Sequence, residues 1–265
     1  MVSIGTAGWA IPRQVAERFP GAGSHLERYA QVFGCAEINS SFRHDHRPST
    51  YARWAAAAPP AFRFSVKLPQ AITHVARLEK IVEPLDRFLD GVRELGDRLG
   101  PLLVQLPASF ALAPRVADTF FAVLRRRFDG TVVCEPRHPD WFGAAAERLY
   151  VRYRVGRVGA DPARVPGAEL PGGWLGDGDR RGTAYFRWHG SPQVYRSSYA
   201  PERLAQWAVE LEAWRTRCDC WCVFDNTTSG AAAQDALALT DLIAQRSPPV
   251  TRPVRRRPAP GTAAA

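Results

Sequence analysis

Short apolar runs in this 265-residue chain keep ending on a residue that can do chemistry. Cys35-Ala36-Glu37-Ile38-Asn39, Phe62-Arg63-Phe64-Ser65-Val66-Lys67, Leu102-Leu103-Val104-Gln105 and Val132-Val133-Cys134-Glu135 are four of them. Tyr185-Phe186-Arg187-Trp188-His189 and Cys222-Val223-Phe224-Asp225-Asn226 are two more. Runs of this kind read as strands buried on both faces, as in a parallel sheet. Each closes on a carboxylate, amide, amine, guanidinium or imidazole.

Helical patterns lie between the runs. Residues 78–99 repeat Ile81, Leu85, Phe88, Leu89, Val92, Leu95 and Leu99 along one stripe, and residues 114–127 repeat Val116, Phe120 and Leu124. A helix over 49–58 opens at Pro48-Ser49 and stops at Pro59-Pro60. Further helices are predicted over 25–33, 141–151, 201–215 and 231–245. Adding strands at 2–6 and 154–159 gives eight, alternating with helices. Residues 161–182, rich in Gly and Pro, form an irregular connection between strands 6 and 7 in place of a helix. This order predicts an α/β fold, a (β/α)₈ TIM-type barrel over 1–246, with a disordered Pro/Arg-rich tail over 247–265. A doubly wound sheet is the alternative, but an early Gly-x-Gly-x-x-Gly is absent. In a barrel every strand's C-terminal end opens on one face, which collects the polar strand ends at a single mouth.

The hydrophobic fraction of 46% is ample for a core. No run of apolar residues is long enough for a membrane span, and the first residues enter a strand rather than a signal peptide. Five cysteines, an odd number without framework spacing, suit reduced thiols and a cytoplasmic location. Cys218, Cys220 and Cys222 read as small hydrophobes entering a strand more readily than as metal ligands. The net charge is +9, and setting aside the four arginines of 247–265 leaves +5. Only Lys67 and Lys80 are lysines among 35 basic residues, so a lysine at a strand end suggests a need for a compact or deprotonatable amine.

Laid out this way, the chain resembles the YecE-like family, a domain of unknown function with a TIM-barrel-like fold. The matching motifs are Ile4-Gly5-Thr6-Ala7-Gly8-Trp9, Glu37-Ile38-Asn39-Ser40-Ser41-Phe42, Phe62 through Pro69 with Ile72-Thr73-His74, and Gly100 through Pro107. Glu135-Pro136-Arg137-His138-Pro139-Asp140-Trp141-Phe142, Arg187-Trp188-His189-Gly190 and Phe224-Asp225-Asn226 continue the match. Ala7 stands where a serine is usual, Pro136 where an aromatic or aliphatic residue is usual, and Asp225 where an asparagine is usual. The resemblance implies the fold and names no reaction.

Glu135 with His138 is the densest pairing for general acid–base work, with Arg137 holding an anionic group. Glu37 could take a proton, bind a metal or neutralise Lys67 on the neighbouring strand. In the last role it argues against a Schiff-base lysine, which requires a depressed pKa. The catalytic candidates are therefore Glu135, His138, Glu37 and Lys67. Trp9, Asn39, Gln105, Arg137, Arg187, His189 and Asn226 are candidates for binding substrate. The loops after strands 7 and 8, with Tyr195-Arg196 and residues 226–230, suit a phosphate-like anion. Arg137, Arg187 and Lys67 would repel a cation, so no metal is assigned and no cofactor is specified. The sequence thus favours an enzyme, a hydrolase or a lyase or isomerase, acting on a small anionic substrate. A nucleic-acid-binding protein and a metal-dependent phosphodiesterase or endonuclease-like barrel stay open as alternatives.

Overall fold

The computed structural model describes residues 1–246, so the predicted tail over 247–265 lies outside the described residues. Ten strands and seven helices lie along it, alternating as far as the fifth helix and then running through four strands in succession. The strands are β1 (Val2–Thr6), β2 (Cys35–Ile38), β3 (Arg63–Lys67), β4 (Leu99–Gln105), β5 (Val132–Glu135), β6 (Val155–Arg157), β7 (Gly159–Asp161), β8 (Gly172–Gly173), β9 (Thr183–Trp188) and β10 (Asp219–Phe224). The helices are α1 (His25–Tyr29), α2 (Pro48–Ala57), α3 (Val82–Val92), α4 (Pro114–Arg125), α5 (Ala144–Arg152), α6 (Pro201–Arg217) and α7 (Ala231–Arg246). The stripe over 78–99 is shorter as a helix than predicted. It tightens into a 3-10 segment after Val92 and turns at Gly96, where φ is +51°, before β4 begins at Leu99. Among the described residues, no helix is long and apolar enough to cross a membrane.

The strands form two sheets, ordered β1-β10-β9-β7 and β2-β3-β4-β5-β6-β8, parallel apart from the β6–β8 pair. The predicted closed eight-stranded barrel is not found among the described residues: the strands form two mostly parallel sheets that approach each other at two seams. At one seam the single run 155–161 serves both sheets, β6 pairing β5 while β7 pairs β9. At the other, the ladder is reduced to one bridge between Ala7 and Glu37. The Tyr29 hydroxyl fills this second seam, accepting from Thr6 N at 2.7 Å and donating to Cys35 O at 3.1 Å. Gly5 permits the approach, because a Cβ there would lie 1.9 Å from Cys35 O. Gly5→Ala is expected to destabilise by roughly 3 kcal/mol, at the upper end of ordinary overpacking, since the obstacle is backbone rather than a mobile side chain. A urea midpoint within error of wild type would show that the seam can open freely.

Strand alternation divides the apolar residues into two clusters. The larger lies between strands and helices and includes Phe64, Val66, Leu102, Val104, Phe186 and Phe224. The smaller lies inside, built from Cys35, Leu103, Val133, Val158, Tyr185, Trp221 and Val223. Two residues beyond the inner positions, on the same side of each strand, come Glu37, Gln105, Glu135, Arg187 and Asp225. Lys67 likewise follows buried Ser65 on β3. A plug of apolar side chains is thus capped by a layer of charge at the C-terminal ends of the strands.

Candidate active site

Arg187 is the centre of that layer and is 0% exposed. Its Nε and Nη2 donate to the two oxygens of Glu37 at 3.0 and 2.8 Å. Its Nη1 donates to Glu135 Oε2 at 2.6 Å, and Nη2 also reaches Asp225 Oδ2 at 2.9 Å. One planar guanidinium therefore joins carboxylates from three strand ends, the geometry that a fork of fixed donors suits and an ammonium does not. Tyr185, two residues earlier on β9, donates to Glu37 Oε2 at 3.0 Å and packs its hydroxyl 2.8 Å from Ser65 Oγ.

His189 bridges Asp225 and Glu135. Its Nδ1 lies 3.0 Å from Asp225 Oδ2 and its Nε2 3.2 Å from Glu135 Oε1. Burial disfavours the imidazolium, but Glu135 and the bonds to Asp225 and Glu135 outweigh it and raise the pKa. Burial likewise opposes ionisation of Glu135. The Arg137 and Arg187 guanidinium groups, with His189, nonetheless hold its carboxyl well below the usual carboxylate range. Asp225 is lowered in the same way, burial being outweighed by Arg187 and His189. Arg137 Nε completes the network on Glu135 Oε1 at 3.0 Å, and its Nη2 lies 3.5 Å from the Tyr195 hydroxyl.

Lys67 stands apart from this pairing. It is 7% exposed, yet among the described residues no carboxylate reaches ion-pair distance of its Nζ. The ammonium rests over the Phe42 ring, 4.1 Å from the centroid. Burial, and then the charge of Arg187, lower its pKa to about 8 against the opposing pull of Glu37, Glu135 and Asp225. The expected Glu37–Lys67 pair is therefore absent. Glu37 sits opposite Ser65, not Lys67, in the β2–β3 register and turns across the interior to Arg187. The argument against a pKa-depressed lysine falls with that pair.

Above the layer opens a cleft of about 700 Å³, lined in part by Asn39, Phe42, Lys67, His74, Gln105, Arg137, Tyr195 and Asp225. His74 was not among the sequence candidates. The segment Ala71–Val75 forms a single π-helical turn, a local widening often found at functional sites, which brings its imidazole to the cleft. Burial, with Lys67 and Arg137 nearby, lowers the His74 pKa and keeps the ring neutral near pH 7. A π-turn has no short sequence signature, so only the Ile72-Thr73-His74 motif itself pointed there.

The other candidates are distributed unevenly. Asn39 and Gln105 line the cleft, Gln105 being fixed by a 3.0 Å bond to Leu106 O. His138 does not meet Glu135: its Nδ1 accepts from Asp140 N at 3.3 Å and caps a 3-10 turn. Among the described residues, the imidazole on Glu135 is that of His189. Asn226 is buried beneath the loops, its amide donating to Asp235 Oδ2 at 2.7 Å and Ser197 O at 2.8 Å. Trp9 packs edge-on against Trp54 and Phe64 at 5.1 and 6.0 Å and does not line the cleft. Among the described residues no group of three or more His, Cys, Asp or Glu side chains is arranged to hold a metal ion. The acidic oxygens converge on guanidinium groups and an imidazole instead.

Comparison with known proteins agrees with the resemblance in the motifs. A family described as "Protein of unknown function DUF72" matches residues 3–260. The YecE protein of Escherichia coli K12, a member of the group UPF0759, is 32% identical over 150 residues, which cover 56% of this chain and 52% of that protein. The chain thus spans about half the length of the curated relatives it matches. A DUF72 protein of Thermotoga maritima MSB8 superposes with a TM-score of 0.72 at 22% identity, over 92% of this chain and 99% of that one. A DUF72 protein of Enterococcus faecalis V583 does so with 0.73 at 17% identity, over 92% and 96%. A 3-keto-D-glucoside 4-epimerase of Escherichia coli, YcjR, shares the fold more distantly, with a TM-score of 0.53 at 14% identity over 92% and 100% of the two chains. The motifs, the strand order and the family match over nearly the whole chain agree: this protein belongs to the DUF72, or YecE-like, family.

Proposed function

We propose that this protein is an enzyme acting on a small anionic substrate held in the strand-end cleft, with the two sheets working as one barrel. In this reading Lys67 exchanges a proton with the substrate and Arg137 holds its negative charge. The isolation of Lys67 carries the proposal. Every acid in the layer is already paired with Arg187, Arg137 or His189, whereas the Lys67 amine lines an open cleft with no counter-ion among the described residues. An amine with a pKa of about 8 is partly neutral near physiological pH and can act as a base. Neutral His74 on the same cleft supplies a second proton acceptor. Proton abstraction beside a carboxylate or phosphate, the chemistry of a lyase or isomerase, suits this set better than hydrolysis. Glu135 is held ionised and saturated with donors, so its part is to position Arg137 and His189.

Calorimetric titration with inorganic phosphate tests the anion site. Wild type should bind, and Lys67→Met should weaken binding by roughly tenfold, the loss of one charge-assisted contact. Unchanged affinity in Lys67→Met would remove the amine from the site. Single-stranded DNA that displaces phosphate from the cleft would favour the nucleic-acid reading.

A further inference from the structure

A second cavity, of about 260 Å³, adjoins the cleft, and Arg137 and Tyr195 line both. Its walls differ in kind from those of the cleft. Phe142, Ala160, Pro162, Val165, Ala168 and Val194 supply an apolar surface. Exposed Arg164 stands on its outer edge, and Glu135 and His189 also border it, but these two are bonded to each other and to Arg137 and Asp225. Arg137 and the Tyr195 hydroxyl are then the polar groups on the shared wall with valence to spare, and their mutual contact is a long one at 3.5 Å. The connection after β7 builds much of this cavity through Pro162, Val165 and Ala168. A helix in that place would present one regular face. The irregular segment instead folds back over the strand end, with Ala160 N donating to Ala168 O at 2.7 Å.

Resting on the anionic reading of the cleft, we propose that the substrate carries a ring or a branched apolar group as well as its negative charge. The charge sits between Lys67 and Arg137 in the cleft, and the apolar group enters the side cavity past Arg137 and Tyr195. The cavity exceeds the roughly 150 Å³ in which an apolar protein cavity accepts a benzene-sized guest. A ring with small substituents therefore fits, and a second fused ring fills it. The occupant is proposed as part of the substrate and not a separate ligand, because the two spaces are neighbours across one pair of side chains, Arg137 and Tyr195.

Phenyl phosphate and inorganic phosphate, titrated separately by calorimetry into the full chain, test this. Phenyl phosphate should bind roughly ten- to a hundredfold more tightly, as expected for transfer of a ring from water to an apolar pocket. Val165→Trp and Val194→Trp, on separate loops, should each fill the cavity and bring the ratio of the two affinities toward one. Because the ratio is read within each variant, a general loss of anion binding does not imitate the effect, and circular dichroism identifies a folded variant. Equal affinities in wild type, or a ratio unchanged in either folded variant, overturns the side cavity as a binding compartment while leaving the anion site intact. Failure of both anions to bind wild type overturns the anionic reading and this proposal with it.

Discussion

Arg187→Met should be among the most destabilising single substitutions in this chain, lowering stability by roughly 3–5 kcal/mol, the range seen when one partner of a buried ion pair is removed. Methionine keeps much of the length and apolar stem of arginine but none of its donors. Glu37, Glu135 and Asp225, all buried, would lose four contacts of 2.6–3.0 Å at once. The deficit should depend on pH in a definite direction. In wild type the folded pKa values of Glu135 and Asp225 are lowered, so their contribution is present above about pH 4 and is lost as the pH falls through the folded values. In the variant Asp225 loses its largest cation and Glu135 loses one of two guanidinium partners, so their folded pKa values rise and acidification costs the variant less than wild type. The gap in urea midpoint should therefore be widest near neutrality and narrow as the pH falls below about 4. Arg187→Lys should recover only part of it, because an ammonium cannot span three carboxylates in one plane. A gap under about 1 kcal/mol, or one indifferent to pH, would show that Arg187 is not what neutralises the acidic layer.

Much of this layer was legible in the sequence because strand geometry is local. Side chains two residues apart share a face, so Val133 and Glu135, or Leu103 and Gln105, declare an apolar interior position followed by a polar one at the strand end. The partners of those polar groups were not legible, because they are set across the interior and not along the chain. Glu37 and Lys67 lie on neighbouring strands, yet the register offsets them by two residues and Glu37 reaches Arg187, 150 residues away. Proximity in sequence likewise suggested His138 for Glu135, while the histidine that arrives is 54 residues distant. Tail-ward of strand 5, the pattern weakened because short segments do double duty. The predicted strand over 154–159 is two pieces, β6 and β7, each serving a different sheet. The irregular connection over 161–182 was visible as a lack of periodicity, but no pattern within it announced a cavity wall.

Lys67→Met should have the opposite sign: it should stabilise the protein at neutral pH. Two buried cations in one layer differ in whether anything compensates them. Arg187 meets three carboxylates, whereas Lys67 is nearly as buried and, among the described residues, has the Phe42 ring and no carboxylate at ion-pair distance. A charged amine held in that position is a net penalty to folding. Its size follows from the fall in pKa from 10.5 to about 8, which corresponds to about 3 kcal/mol, an upper bound once the lost ring contact is counted. The folded amine releases its proton near pH 8 and the unfolded one near 10.5, so between those values the unfolded chain binds more protons and wild-type stability rises with pH. The advantage of the methionine variant should thus be full below pH 8 and gone by about pH 10.5. Chemical denaturation at pH 7 and pH 10.5 reads both limits, and the same variant should be deficient in phosphate binding. A residue that weakens the fold while serving the cleft is what a functional role predicts, since such sites trade stability for chemistry. If Lys67→Met were instead destabilised at pH 7, the amine would have a counter-charge in solution, and its role as a free base would not stand.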